Sequence, residues 1–191
     1  MFNNILGNEN IKELLTNAVK NNKTSHSYMF VGTEGIGKKM IAKEFAKMIL
    51  CTDENKYCGR CKSCIEFKSN NNPDFRIIEP DGNSLKIEQI REFQNKVAEK
   101  PIISNRKVYI INDSDKMTTE AQNCLLKTLE EPPEFVTIIL IGSNESAFLD
   151  TIKSRCMILR FNKISNEDIT KFLQENYQTT VTSQIMLEAF Q

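Results

Sequence analysis

At 191 residues the chain is long enough for one substantial domain and part of a second. Its 25 basic and 25 acidic residues cancel, which argues against a module that grips nucleic acid unaided. No apolar run approaches the roughly 20 residues of a membrane span. The start, Met1-Phe2-Asn3-Asn4-Ile5, lacks a basic stretch ahead of an apolar core, so no signal peptide is expected and the expected location is cytoplasmic. Six cysteines without a secretion signal suit reduced thiols or metal ligands better than a disulfide framework.

Taken in order, Ile11, Leu14, Leu15, Ala18 and Val19 form a stripe at helical spacing over Glu9 to Lys20. The polar run Asn21 to Thr24 breaks it before an apolar strand, Tyr28 to Val31. A glycine loop follows, Gly32-Thr33-Glu34-Gly35-Ile36-Gly37-Lys38-Lys39, and then a helix carrying Met40, Ile41, Phe45, Ala46 and Ile49. Beyond a cysteine-rich stretch (Cys51 to Cys64), Phe75 to Ile78 reads as a second strand, closed by Pro80-Asp81-Gly82. Ile87, Ile90, Phe93 and Val97 mark another helix, ending near Pro101. Val108 to Ile111 is apolar throughout, as suits a strand buried on both faces. Thr119 with Gln122 makes a capping-box pattern for a helix through Leu125 and Leu129 that Pro132-Pro133 must end. Val136 to Ile141 and Met157 to Phe161 supply two more strands. Strands alternating with helices imply a parallel five-stranded α/β sheet covered on both faces. From Ser165 the pattern turns helical (Ile169, Phe172, Leu173, then Leu187 and Phe190), which reads as a small second domain from about residue 164 that stops unfinished.

Strand, glycine loop and helix in that order are the context a phosphate-binding loop requires. Gly32, Gly35 and Gly37 let consecutive N–H groups curl around one anion, and Lys38 stands where a lysine reaches the outer phosphates. The next residue should carry a hydroxyl for Mg²⁺, but it is Lys39. The companion strand, Val108 to Ile111, should end in acids that hold the metal and activate water. It ends in Asn112-Asp113, an amide where a carboxylate is expected and an acid one methylene shorter than the usual base. Both departures fall on the metal, so the loop could hold the phosphates of ADP or ATP, whereas bound Mg²⁺ and hydrolysis are not expected. Asn144, after the fourth strand, lies where a polar side chain could sense the last phosphate.

Cys51, Cys58, Cys61 and Cys64 (C-x6-C-x2-C-x2-C) suit a closed tetrahedral Zn²⁺ site, with Gly59 relieving the knuckle. Lys56, Arg60, Lys62 and Lys68 make the segment too polar for four ordinary core cysteines. A site with every position filled is structural. Ser154-Arg155-Cys156 precedes the fifth strand; alone, an arginine there is most often a surface or salt-bridged residue. Cys124 and Cys156 read as small core residues, and His26, the single histidine, as structural.

These pieces in this order resemble the clamp-loader branch of the AAA+ ATPases. The most specific stretches are Asn123 to Pro133 (Asn-Cys-Leu-Leu-Lys-Thr-Leu-Glu-Glu-Pro-Pro), the Ser154-Arg155-Cys156 triplet and the four-cysteine insertion, which look like bacterial DNA polymerase III clamp-loader subunits. Of the two kinds with this layout, Lys39 and Asn112-Asp113 place the chain nearer the delta-prime kind than the hydrolysing gamma/tau kind. The resemblance implies an AAA+ domain over residues 1–163, with the zinc module at 51–64 inserted, and the beginning of a helical lid at 164–191. It implies that the third, collar domain is missing, as in a shortened form. It also implies that Arg155 is an arginine finger projecting into a neighbour's ATP site. The implied partners are the gamma/tau and delta subunits in a hetero-pentamer, the sliding clamp and, through the assembly, primed DNA. Two other readings stand beside this one: an active gamma/tau-type ATPase with Asp113 as base, and a zinc-dependent DNA-binding module, which zero net charge disfavours.

Overall fold

The computed structural model describes residue 2, residues 5–164 and residues 169–170. Six α-helices and five strands carry the fold, with two short 3-10 turns beside them: α1 Glu9–Lys20, β1 Ser27–Val31, α2 Lys38–Leu50, α3 Lys62–Lys68, β2 Phe75–Ile78, α4 Ile87–Val97, β3 Lys107–Ile111, α5 Thr119–Glu130, β4 Val136–Gly142, α6 Asp150–Lys153 and β5 Met157–Arg160. The strands form one sheet in the order β2-β3-β4-β1-β5, every pair parallel. That is the expected five-stranded parallel α/β architecture. The lid helices expected from Ser165 onward lie outside the described residues apart from Ile169 and Thr170.

Side chains alternate across the sheet and so serve two cores. Tyr28, Phe30, Val108, Ile110, Ile139 and Ile141 face α1 and α2, where Leu15, Ile41 and Phe45 are fully buried. Met29, Val31, Tyr109, Ile111, Ile138 and Leu140 face α4, α5 and α6, meeting Ile90, Leu125 and Ile152. The central strands β1, β3 and β4 are buried along their whole length, whereas the edge strands β2 and β5 are only partly covered. This explains why the middle strands read as unbroken apolar runs.

Two local readings change. The N-cap of α5 is Thr118, whose hydroxyl accepts from the Ala121 N–H at 3.2 Å, one residue before the Thr119 expected. Gln122 is therefore no capping-box partner. It is buried, donating to the Ala147 carbonyl (2.9 Å) and accepting from the Leu149 N–H (2.9 Å), which ties α5 to the loop after β4. The second change is α3, which the sequence did not announce and which starts inside the cysteine motif at Lys62.

Asp74, just before β2, is 1 % exposed, and its carboxylate accepts from the N–H groups of Ile102 (2.7 Å), Ile103 (2.8 Å) and Ser104 (2.7 Å). Replacing it leaves three backbone donors without their acceptor. Asp74→Ala is expected to cost about 3 kcal/mol in urea denaturation, with faster amide exchange confined first to residues 102–104.

Candidate functional site

Parallel register brings the carboxyl ends of the strands level: Ile78 stands beside Ile111, Ile111 beside Leu140, and Val31 beside Gly142. A crevice past those ends is where open α/β sheets bind ligands. Here it is a cleft of about 270 Å³ lined by Glu34, Gly35, Gly37, Lys38, Lys39, Asn112, Asp113 and Ser143 among others. Three of its loop positions require glycine. Gly35 and Gly37 have φ of 80° and 89°, and a Cβ at Gly32 would stand 2.7 Å from the Phe161 carbonyl oxygen. The loop thus curls tightly into α2 between β1 and the segment after β5.

Lys38 is buried and donates to the loop's own carbonyls, Gly32 O at 2.5 Å and Thr33 O at 2.7 Å. Desolvation lowers its pKa, while Asp115, Glu34 and Asp113 pull the other way. The two residues that depart from a metal-binding pattern meet on one carboxylate. Lys39 Nζ lies 2.5 Å from Glu79 Oε1, and Asn112 Nδ2 makes a long 3.5 Å contact to the same oxygen. Asp113, in the left-handed region at φ 47°, pairs with Lys116 at 3.2 Å.

Asn144 is not brought to the cleft. Its side-chain oxygen accepts from the Ser146 N–H (3.0 Å) and hydroxyl (2.7 Å), forming a turn, while Ser143 lines the cleft instead. Asp115 holds that turn by accepting from the Ser143 and Asn144 N–H groups, each at 3.0 Å. Sequence reading missed Glu79. It follows β2 without any motif of its own, and only the β2–β3 pairing sets it beside Asn112.

The four cysteines do converge, all four sulfurs lying within 4.8 Å of one another. Cys51 Sγ is 3.6 Å from Cys58 Sγ and 4.0 Å from Cys61 Sγ. A tetrahedron with Zn–S of about 2.3 Å has sulfur–sulfur edges of about 3.8 Å, so the cluster fits a four-thiolate metal site. The knuckle supplies backbone donors to sulfur, Cys61 N–H to Cys58 Sγ (3.3 Å) and Cys64 N–H to Cys61 Sγ (3.4 Å). At Cys61 burial opposes ionisation, but hydrogen bonds from Thr52 and the Cys64 N–H outweigh it and bring the thiol to about 6. Tyr57 anchors the module on α2 by donating to Glu44 beneath the Lys47 ammonium, which lies 4.4 Å from the ring centroid. Cys124 and Cys156 lie apart; burial raises the Cys156 thiol to about 12, and Cys124 donates to Gln94 Oε1 at 3.1 Å. His26 Nδ1 lies 3.3 Å from the Val136 carbonyl oxygen, in line with a structural role.

Arg155 sits at the end of α6. Its Nη2 donates to Glu130 Oε1 at 2.6 Å and its Nη1 to the Thr151 carbonyl at 2.7 Å.

A profile of the family described as DNA polymerase III, delta subunit, matches residues 7–165. The chain belongs to that family. The delta' subunit of Bacillus subtilis is 37 % identical over 166 residues, covering 86 % of this chain and 50 % of that protein. The tau/gamma subunit of Haemophilus influenzae is 36 % identical over 175 residues, covering 90 % of this chain and 25 % of that protein. Among solved structures, a gamma subunit-related protein of Thermotoga maritima superposes with a TM-score of 0.57 at 24 % identity, over 87 % of this chain and 49 % of that one. The Holliday junction branch-migration motor RuvB of Thermotoga maritima gives 0.56 at 13 % identity, over 88 % of this chain and 50 % of that one. These structural likenesses speak for the fold alone, a parallel α/β sheet flanked by helices. The chain spans at most about half the length of these relatives. Among the described residues no helix is long and apolar enough to cross a membrane.

Proposed function

We propose that this chain is the nucleotide-binding-like part of a delta-prime-type clamp-loader subunit, which helps place a sliding clamp on primed DNA during replication. Its own ATP site is degenerate, its zinc is structural, and Arg155 serves the ATP site of an adjacent gamma/tau-type subunit. The Lys39–Glu79 ion pair carries this reading. An ammonium and an amide share the Glu79 carboxylate at the place where a hydroxyl and an acid would hold Mg²⁺, so the carboxylate nearest that place is neutralised by a lysine instead of being open to the cation that stabilises phosphoryl transfer. Asp113, the remaining candidate base, is already paired with Lys116.

The full-length protein in its assembled complex is the material for the test. Lys38→Ala is expected to leave total Mg²⁺-dependent ATP hydrolysis within about twofold of wild type, because one lysine's phosphate contacts matter only where turnover occurs. Isolated full-length protein should show no turnover above background. The gamma/tau-type reading demands the opposite: measurable turnover by the isolated protein that Lys38→Ala abolishes. Salt-sensitive DNA binding by the isolated protein, lost in Cys58→Ser, would favour the zinc-dependent DNA-binding module instead.

A further inference from the structure

We propose that Glu130 is the positioning residue for Arg155, fixing the direction in which its guanidinium is presented. The inference rests on the reading of Arg155 as a group donated to a neighbour. Glu130 is the last residue of α5, and the next turn of helix is forbidden by Pro132-Pro133. Arg155 follows α6 by two residues. Leu129 and Ile152 are buried in the same core, so the helix ends that carry the two side chains are fixed with respect to each other. Across this junction the guanidinium is held at three points: Glu130 Oε1 at 2.6 Å, the Thr151 carbonyl at 2.7 Å and, more loosely, the Ser154 hydroxyl at 3.4 Å.

Stability does not explain the pair. With side chains 33 % and 48 % exposed, it belongs to the class of surface ion pairs that contribute little. What the geometry does supply is orientation. Glu130 and Thr151 engage Nη2 and Nη1, while Nε–H and the second Nη2 hydrogen have no partner among the described residues. Those two donors remain available to the oxygens of a phosphoryl group. An unheld arginine would first have to lose its rotamer freedom; here these contacts already remove part of it.

The test compares Glu130→Gln, Glu130→Asp and Arg155→Ala in the full-length protein assembled with its neighbouring ATPase subunits, reading single-turnover ATP hydrolysis, KM for ATP, assembly and Tm. Glu130→Gln is expected to lower kcat by about threefold to fivefold, with KM, assembly and Tm little changed, since an exposed pair contributing up to about 1 kcal/mol biases an orientation by no more than that. Glu130→Asp, which keeps the charge, should recover part of the loss, and Arg155→Ala should fall furthest. If Arg155→Ala slows hydrolysis while Glu130→Gln stays within about twofold of wild type, the positioning role is wrong and the donated arginine stands. A faster Glu130→Gln would show the pair to be a restraint, which also overturns the proposal. If Arg155→Ala itself has no effect, the donated-arginine reading falls first and Glu130 has nothing to position.

Discussion

Stripping the metal from the four-cysteine module should release about one Zn²⁺ per chain and lower the melting temperature by about 10 °C. The module has little else to order it. Only Cys51, Ser63 and Cys64 are buried between residues 51 and 64, and Lys62 and Arg60 face solvent. Its anchors are few: Tyr57 on Glu44, the Ser63 hydroxyl and carbonyl, which meet the Asn72 amide at 2.9 Å each, and the Ser104 hydroxyl, which donates to the Ser63 hydroxyl at 2.9 Å. Four-thiolate zinc in isolated peptide modules is worth about 10–16 kcal/mol of apparent binding energy. Here the two sheet cores stand without it, so the loss is local, on the order of 3–5 kcal/mol, and a domain of this size shifts by about 2–4 °C per kcal/mol. Cys58→Ser should reproduce the effect of a strong chelator, and Cys124→Ser should release no metal. Elemental analysis finding no zinc, with an unchanged melting curve after chelation, would remove the metal from this account.

How far the sequence carried can be read from particular residues. The bounds of α1, β2 and α4 were legible because an amphipathic stripe or an apolar run ended at a breaker: the polar run from Asn21, Pro80-Asp81-Gly82, and Pro101. The start of α5 was misplaced by one residue because Thr118 and Thr119 are equally good caps, and only the backbone turn decides which hydroxyl points back. The helix α3 was hidden because it is only seven residues long and its N-cap Cys61 and its Cys64 belong to the cysteine cluster, which leaves too little apolar period to announce a helix. At the site, the loop glycines, Lys38 and the cysteine cluster were legible because their spacing is itself the constraint. Glu79 and Glu130 were not. Each acquires its meaning from a partner far along the chain, Lys39 at a distance of 40 residues and Arg155 at 25, and no local pattern encodes that pairing.

The same asymmetry separates the two ends of this domain. At the cleft, Lys39, the residue that departs from the loop pattern, is paired with the chain's own Glu79. At the α5–α6 junction, a cation meets Glu130 and the Thr151 carbonyl yet keeps two donors free among the described residues. A cleft lysine neutralised within the chain, together with an arginine that keeps donors open, fits the proposed role of serving a neighbour.

Arg155→Ala should therefore have the larger consequence for catalysis. In the assembled full-length complex, hydrolysis at the one ATP site facing Arg155 is expected to fall by about 10³–10⁵-fold, the contribution of a guanidinium supplied in trans to the charge of the phosphoryl-transfer transition state. Nucleotide affinity at that site should change far less, because the developing charge exists only during transfer. The folded chain should be little affected, with Tm within about 4 °C of wild type, since an exposed ion pair contributes about 0–1 kcal/mol. Arg155→Lys keeps the charge but loses the planar fork, so it should recover only a small part of the rate. The measurement must isolate the facing site, by single-turnover hydrolysis in complexes whose other ATPase subunits carry inactivated loops, because the remaining sites would mask the loss. A rate unchanged by Arg155→Ala in such a complex would leave Arg155 as nothing more than the surface salt bridge that its sequence position alone suggests.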